Sequence, residues 1–213
     1  MRQDLDDRLA RAGSWIEAAR ERDGHEAFAF FFIALNAMYG RRQYEGRRTE
    51  VLQDVERFLT NVWTMHKADE RAHGRVLLDA LDACQEWSEA LILDPFINDH
   101  YWNRRVEYRQ LDRSAKAQLA QVKASRRSER YEGFVKLVLA RVIVLRNQVL
   151  HGCVTYGVDS KGWNSLEAGL EVLRSIVPAF YALMQQHGAL CVWDSLPYPR
   201  LGSDRHPKLD SLK

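Results

Sequence analysis

An arginine and a histidine stand close together near the end of an apolar stretch, in the run Leu145-Arg146-Asn147-Gln148-Val149-Leu150-His151-Gly152. Histidine transfers protons near neutral pH, and arginine offers a fixed fork of donors that matches phosphate oxygens. Together these two groups are a minimal set for cleaving a phosphodiester without a metal ion. Both residues also fit a structural role, because a histidine can bind the last carbonyls of a helix and an arginine can lie along an apolar surface.

The spacing of these residues determines how they can meet on a helix. Asn147 and His151 are four residues apart, so they share a face and can hydrogen-bond along it. Arg146 and His151 are five residues apart, which separates them by about 140° around the helix axis. The long arginine side chain can curl toward the histidine from that position. Arg146 and His151 are therefore candidate catalytic residues, with Asn147 in support.

The elements that must position these residues are predicted to be helices. The chain has 213 residues with only five prolines and twelve glycines, and apolar residues recur at spacings of three and four. We expect a bundle of four to six helices with the helix over 131–151 at its centre, Gly152 as a left-handed cap and a kink at Pro178. Helices are predicted at about Gln3–Glu21, His25–Tyr39, Ala68–Leu93, Tyr131–His151 and Ser165–His187, and one more helix is predicted to begin after an N-cap at Thr49.

Length and composition predict one globular domain. The chain is 46% hydrophobic and 28% charged, which excludes the collagen-like, disordered and membrane-spanning classes. We expect a helical domain over residues 1–187, with 95–130 as an insertion or extension, and an irregular tail over 188–213. The three cysteines show no CxxC spacing and the N-terminus is charged, so a cytoplasmic location without a secretory signal or a membrane is predicted.

Charge is distributed unevenly along the chain although the net charge is only +2. Residues 101–130 carry nine basic and three acidic side chains, and residues 50–99 carry four basic and eleven acidic ones. These segments are either two solvated faces that attract each other or, for the first of them, a basic surface that binds phosphates. The run Arg41–Arg48 is a second basic segment.

Motifs for other kinds of site are absent from the sequence. It contains no phosphate-binding loop, GxGxxG, HExxH or GxSxG pattern. His66 with His73, and His187 with Cys191, are spaced as zinc ligands can be, but neither pair has a third and fourth ligand close by. We therefore expect neither a metal site nor a cofactor.

The segment Arg146-Asn147 followed by His151 resembles the signature of the HEPN superfamily, an arginine followed after four to six residues by a histidine. It lies near the end of a long helix in the second half of the chain, as the signature does in that family. The flanking sequence is similar to that of a group of stand-alone bacterial HEPN proteins. The similar segments are Ile33–Gly40, His151-Gly152, Thr155-Tyr156-Gly157 and Ile176–Phe180, within a resemblance that covers Phe28–Gly40 and Tyr131–Met184.

The resemblance implies a HEPN-like helical bundle and, for many members, a metal-independent endoribonuclease of toxin–antitoxin or antiviral defence systems. By this resemblance His151 is the general base or acid at the ribose 2′-OH, Arg146 stabilises charge on the phosphate and Asn147 orients His151 or contacts the phosphate. The active site is expected at a homodimer interface. Asn36, a polar residue in a nearly all-apolar helix, is a further supporting candidate and fits equally well as a hydrogen-bonded core residue.

Two alternatives to catalysis stay open. Some HEPN domains are non-catalytic modules that bind RNA, a nucleotide or a partner protein, and the Arg–His pair of a plain helical scaffold can be structural. HEPN toxins paired with a nucleotidyltransferase antitoxin often carry a tyrosine two residues after the histidine, where this chain has Cys153. Control by modification of that tyrosine is therefore not expected, and the identity of an antitoxin or other regulator is open.

Overall fold

The protein is all-helical in the computed structural model, which describes residues 2–40, 51–98, 107–127, 131–152, 163–194 and 196. These residues form eight α-helices and two 3-10 turns and contain no strand, so the predicted all-α class is confirmed, whereas the predicted number of four to six helices was too low. The helices are α1 (Arg2–Arg20), α2 (Gly24–Tyr39), α3 (Val51–Arg71), α4 (Val76–Ala83), α5 (Gln85–Leu93), α6 (Tyr108–Arg127), α7 (Glu132–Leu150) and α8 (Trp163–His187), and the turns are Pro95–Ile97 and Gly188–Leu190.

The core is organised around α8 rather than around α7, which the sequence predicted as the central helix. Helix α8 packs against α1, α2, α3, α4, α5 and α7, whereas α7 packs against α2, α3, α5, α6 and α8. Large apolar side chains of α8 are buried throughout its length, and the helix continues through Pro178. The predicted apolar spacing of both helices is present, but spacing alone does not indicate which of two apolar helices has more neighbours.

The predicted single helix over Ala68–Leu93 is interrupted twice. His73 adopts a left-handed backbone with φ 63°, and the backbone N–H of Gly74 donates to the carbonyl of Asp69 at 2.8 Å. The Asp69 carboxylate then accepts the N–H of Val76 at 3.1 Å, which satisfies a free donor at the start of α4. A second break follows at Cys84. The apolar period continues across both breaks, which is why the sequence pattern concealed them.

Part of the segment that was expected as an insertion or extension is the regular helix α6, which packs against α5 and α7. Its buried face carries Leu111, Ala115 and Leu119. Lys123 on α6 pairs with Glu89 on α5 at 2.6 Å, so at this point the basic and acidic segments attract each other, as the first interpretation of the charge pattern required. The basic run Arg41–Arg48, residues 153–162 and the tail beyond 196 lie outside the described residues.

A buried arginine joins the two ends of the described chain. Arg8 is 2% exposed, and its guanidinium donates to the carbonyls of Met38 at 2.9 Å, Gly40 at 2.6 Å and Asp194 at 2.7 Å. Burial lowers the pKa of Arg8, and the negative charges of Asp194 and Asp4 act in the opposite direction. Arg8 therefore holds a cation at the C-terminal end of α2, where the helix dipole favours one.

The side-chain surroundings of Arg8 extend to the segment after α8. The Trp193 ring lies 5.7 Å from the Arg8 guanidinium carbon, and Asn61 of α3 donates to the carbonyl of Val192 at 3.1 Å. Residues 191–194 thus pack between α1 and α3. No helix within the described ranges is long and apolar enough to cross a membrane.

Replacing Arg8 tests this connection. Arg8→Met keeps much of the side-chain volume but leaves three carbonyls without their donor, so we expect the free energy of unfolding to fall by about 2–3 kcal/mol. Arg20→Met on the exposed side of α1 is the control and should change stability by no more than about 0.5 kcal/mol. Urea unfolding followed by circular dichroism measures both, and equal effects of the two substitutions would contradict the structural role of Arg8.

The Cys191 thiol offers a test of how firmly residues 191–194 are packed. Cys191 is 6% exposed, and burial raises the pKa of its thiol. Because the thiolate is the reactive form, we expect iodoacetamide to modify Cys191 far more slowly at pH 8 than in the urea-unfolded chain, with a rate that increases as the pH rises. Mass spectrometry assigns the modification to each cysteine, and equal rates in the folded and unfolded chains would show that this segment is open.

Candidate active site

The Arg146 side chain is held in a defined position near the end of α7. Its Nη1 donates to Oδ1 of Asn147 at 2.9 Å, and its guanidinium carbon lies 5.2 Å from the centroid of the Phe32 ring on α2. That distance lies within the range of a cation–π contact. The side chain is half-buried, and no described carboxylate pairs with it, so its positive charge is available to an anion.

Close packing of three helices determines where this end of α7 lies. A Cβ on Gly169 of α8 would come within 2.5 Å of a Leu145 methyl group and 3.0 Å of the Phe28 ring. Leu145 and Phe28 therefore fill the space that a side chain at position 169 would need. Leu145 immediately precedes Arg146, and Phe28 lies one helical turn before Phe32, so this packing also sets the contact between Arg146 and Phe32.

Two polar residues of α7 hold the other side of the helix. Arg141 is 5% exposed and donates to the carbonyl of Ile97 and to the Gln118 side chain of α6, both at 3.2 Å. Gln148 is 7% exposed and donates to the carbonyl of Phe96 at 2.6 Å. Burial lowers the pKa of Arg141, and the nearby Asp94 carboxylate opposes that shift. These two side chains fasten the Pro95–Ile97 turn along α7.

Asp94 extends this polar cluster to the start of α8. Its carboxylate accepts the backbone N–H of Phe96 at 2.8 Å and a hydrogen bond from the Ser165 hydroxyl. Sequence reasoning did not identify Arg141 and Gln148, although a signal was present. They are seven residues apart and share the stripe that buries Val138 and Leu145, and polar residues on a buried stripe require internal partners.

His151 forms the C-cap of α7 and is exposed. Its backbone N–H donates to the carbonyl of Asn147 at 2.9 Å. Gly152 follows with φ 68°, which confirms the predicted left-handed cap. The imidazole makes no hydrogen bond or ion pair with any residue that the structure describes.

The structure brings Arg146 and Asn147 together but leaves the His151 side chain apart. The amide oxygen of Asn147 accepts from Arg146, whereas the sequence predicted that the Asn147 side chain could bond to His151. The difference arises because the arginine fork curls back onto its immediate neighbour. Arg146 and His151 share the same helix end, and no hydrogen bond joins their side chains among the described residues.

Asn36 occupies a different place on α2. It is half-buried and lines a cleft of about 220 Å³ with Arg11, Trp15, Ile33 and other residues. Its backbone carbonyl accepts the N–H of Gly40 at 2.7 Å, so it takes part in ending α2. Asn36 lies one turn beyond Phe32, and no hydrogen bond joins it to Arg146 or His151 among the described residues.

The histidines that were considered as zinc ligands have acidic neighbours instead. His187 Nε2 lies 3.7 Å from the Asp69 carboxylate, and His66 Nε2 lies 3.6 Å from that of Glu70. No group of three or more side chains that could hold a metal ion occurs within the described ranges. The end of α7 thus presents a guanidinium with no carboxylate partner among the described residues and an exposed imidazole.

Comparison of the chain with protein-family models, with curated proteins and with solved structures returns no match. The resemblance to the HEPN superfamily therefore depends on the residues of the motif and its flanking segments.

The packing at Gly169 can be tested with a matched pair of glycine substitutions. Gly169→Ala would press a methyl group into Leu145 and Phe28, a penalty of about 1–3 kcal/mol from overpacking against a gain of about 1 kcal/mol in helix propensity. We expect a net destabilisation of about 1 kcal/mol.

The control is Gly133→Ala on the exposed first turn of α7, where an added Cβ meets nothing within 4 Å. This variant should be about 0.5 kcal/mol more stable than the wild type because the unfolded chain loses freedom. Thermal and urea unfolding measure both variants, and effects of the same sign would refute the three-helix contact.

Proposed function

We propose that the protein is a metal-independent endoribonuclease of HEPN type. The observation that carries the proposal is the Arg146 guanidinium, held by Phe32 and Asn147 without a carboxylate partner among the described residues, at the helix end that carries the exposed His151. A phosphodiester is the substrate class that uses both groups. The fork binds phosphate oxygens, and the imidazole moves the protons.

In this mechanism a neutral His151 imidazole removes the proton from a ribose 2′-OH. The 2′ oxygen then forms a bond to the adjacent phosphorus, and the bond between phosphorus and the 5′ oxygen breaks. Arg146 stabilises the extra negative charge on the phosphate oxygens in the transition state. The 5′ oxygen takes up a proton from an imidazolium, and the products are a 2′,3′-cyclic phosphate and a 5′-hydroxyl. Because the nucleophile is the 2′-OH, DNA is not a substrate.

The proposal includes a homodimer, since one imidazole cannot be base and acid in the same step. Two copies that face each other across a cleft supply two Arg–His pairs, so one His151 removes a proton while the other donates one. From the resemblance we further propose that the protein is cytoplasmic and acts as a toxin or in defence. An antitoxin or another regulator would then control it.

A second candidate function is a non-catalytic module that binds RNA, a nucleotide or a protein. Among the described residues no hydrogen bond links the His151 imidazole to Arg146 or Asn147, which favours this function because the motif of a single chain is not assembled into one hydrogen-bonded unit. An arginine with free donors is sufficient for binding an anion, and this module needs no proton transfer by His151.

An RNA cleavage assay in EDTA separates the two functions. We expect the wild type to cut single-stranded RNA in EDTA and to release 2′,3′-cyclic phosphate ends. His151→Ala and Arg146→Ala should each lower the rate by at least about 100-fold, the range of one proton-transfer or oxyanion group. Product ends are identified by mass spectrometry, and dimer content is matched by light scattering.

Two control variants replace an arginine and a histidine that lie outside the candidate site. Arg20→Ala removes an exposed arginine from α1, and His73→Asn removes an exposed histidine while retaining a residue that tolerates the left-handed backbone there. Both should cut RNA at the wild-type rate. RNA binding without cleavage by the folded wild type would select the binding module, and equal cleavage by all variants would exclude this site.

A further inference from the structure

We propose that Phe32 is a positioning residue for Arg146, so that its ring and the Asn147 amide together aim the guanidinium edge at the phosphate. This inference rests on the proposed function and deepens it. It concerns a residue that the motif does not contain and that lies on another helix, more than 100 residues earlier in the chain.

The contacts of Arg146 determine which of its donors remain available. An arginine carries five N–H donors in one plane. Nε of Arg146 is buried without a hydrogen-bond partner, and Nη1 uses one donor on Asn147. The donors left for an anion are the second N–H of Nη1 and the two N–H groups of Nη2, and guanidinium donors bind phosphate oxygens in pairs. Burial of Nε therefore leaves the Nη1 and Nη2 end of the fork as the part that can bind a phosphate.

The Phe32 ring explains how that orientation is held without a carboxylate. The ring is 5% exposed and anchored in the core, and its centroid lies 5.2 Å from the guanidinium carbon. A rigid aromatic face attracts the cation while leaving the charge uncompensated, because the ring carries no formal negative charge. A carboxylate in the same place would hold Arg146 equally well but would neutralise it and occupy its donors.

Helix geometry connects this contact to the packing of the bundle. Phe28 and Phe32 are four residues apart on α2, so they lie on the same face. Phe28 packs with Leu145 near Gly169, and Phe32 is then presented to the next residue of α7, which is Arg146. The neighbouring Phe31 is 2% exposed and is rotated by about 100° from Phe32, which makes it a matched control for loss of a buried ring.

The test compares Phe32→Leu, Phe32→Tyr and Phe31→Leu with the wild type in the RNA cleavage assay. The assay temperature is one at which urea unfolding shows that the wild type and the three variants are folded. Loss of the ring should lower kcat by roughly threefold to tenfold with little change in KM, since the fork is needed most in the transition state. Phe32→Tyr keeps the aromatic face and should restore most of the rate. Phe31→Leu should leave kcat unchanged.

Nuclear magnetic resonance supplies a readout that does not depend on cleavage. Protons above an aromatic face are shielded, so the Arg146 side-chain N–H resonance, assigned by its loss in Arg146→Lys, should move downfield in Phe32→Leu and stay in place in Phe31→Leu. An unmoved resonance in Phe32→Leu overturns the inference, because the guanidinium then does not lie over the ring.

The remaining outcomes separate this inference from the proposed function. If the wild type requires Arg146 for cleavage and Phe32→Leu retains full kcat, the nuclease stands and the positioning role is overturned. If the wild type binds RNA without cutting it, the nuclease is overturned, and the affinity for RNA becomes the deciding measurement. A weaker affinity of Phe32→Leu, with Phe31→Leu unchanged, then supports the positioning of Arg146, and equal affinities overturn it.

Discussion

The fit of Leu145 and Phe28 against the bare Cα of Gly169 is the constraint on which the candidate site depends. Three helices approach each other closely at this level, and interiors are packed so densely that one methyl group disturbs their arrangement. Because Leu145 is the residue before Arg146 and Phe28 is one turn before Phe32, the same contact sets both partners of the cation–π pair. The candidate arginine is thus held through the hydrophobic core and not through a surface salt bridge.

The two sides of α7 make different kinds of contact. One side presents Arg146 to α2, and the other side buries Arg141 and Gln148, whose donors hold the carbonyls of Ile97 and Phe96. Buried polar side chains with directional partners favour one register over its neighbours, because a shift along the helix would leave those donors without acceptors. The polar cluster at Asp94 and Ser165 adds the start of α8 to the same arrangement. Rotation of α7, which would carry Arg146 away from Phe32, is resisted from both sides.

The sequence was sufficient for features that depend on local pattern. Apolar spacing located α1, α2, α7 and α8 to within a few residues but did not place α6, and Gly152 was identified as a left-handed cap because glycine adopts that backbone without strain. The break at His73 was missed because it depends on a carboxylate of Asp69 that reaches Val76, seven residues onward. Arg8 was missed although it shares a helix face with Leu5 and Ala12, since an arginine in an amphipathic helix ordinarily lies in water. Of the candidate site, the residue types were predictable, but the pairing of Arg146 with Phe32 requires a tertiary contact that no periodicity encodes.

The bond from Arg8 to the carbonyl of Asp194 spans 186 residues of chain, and this has a consequence for the order in which the protein folds. Helices α1 and α2 are adjacent in sequence and can pair as soon as both have left the ribosome, whereas a contact of such long range forms only after nearly all of the described chain has been made. During synthesis, the docking of residues 191–194 onto Arg8 therefore follows the pairing of α1 and α2.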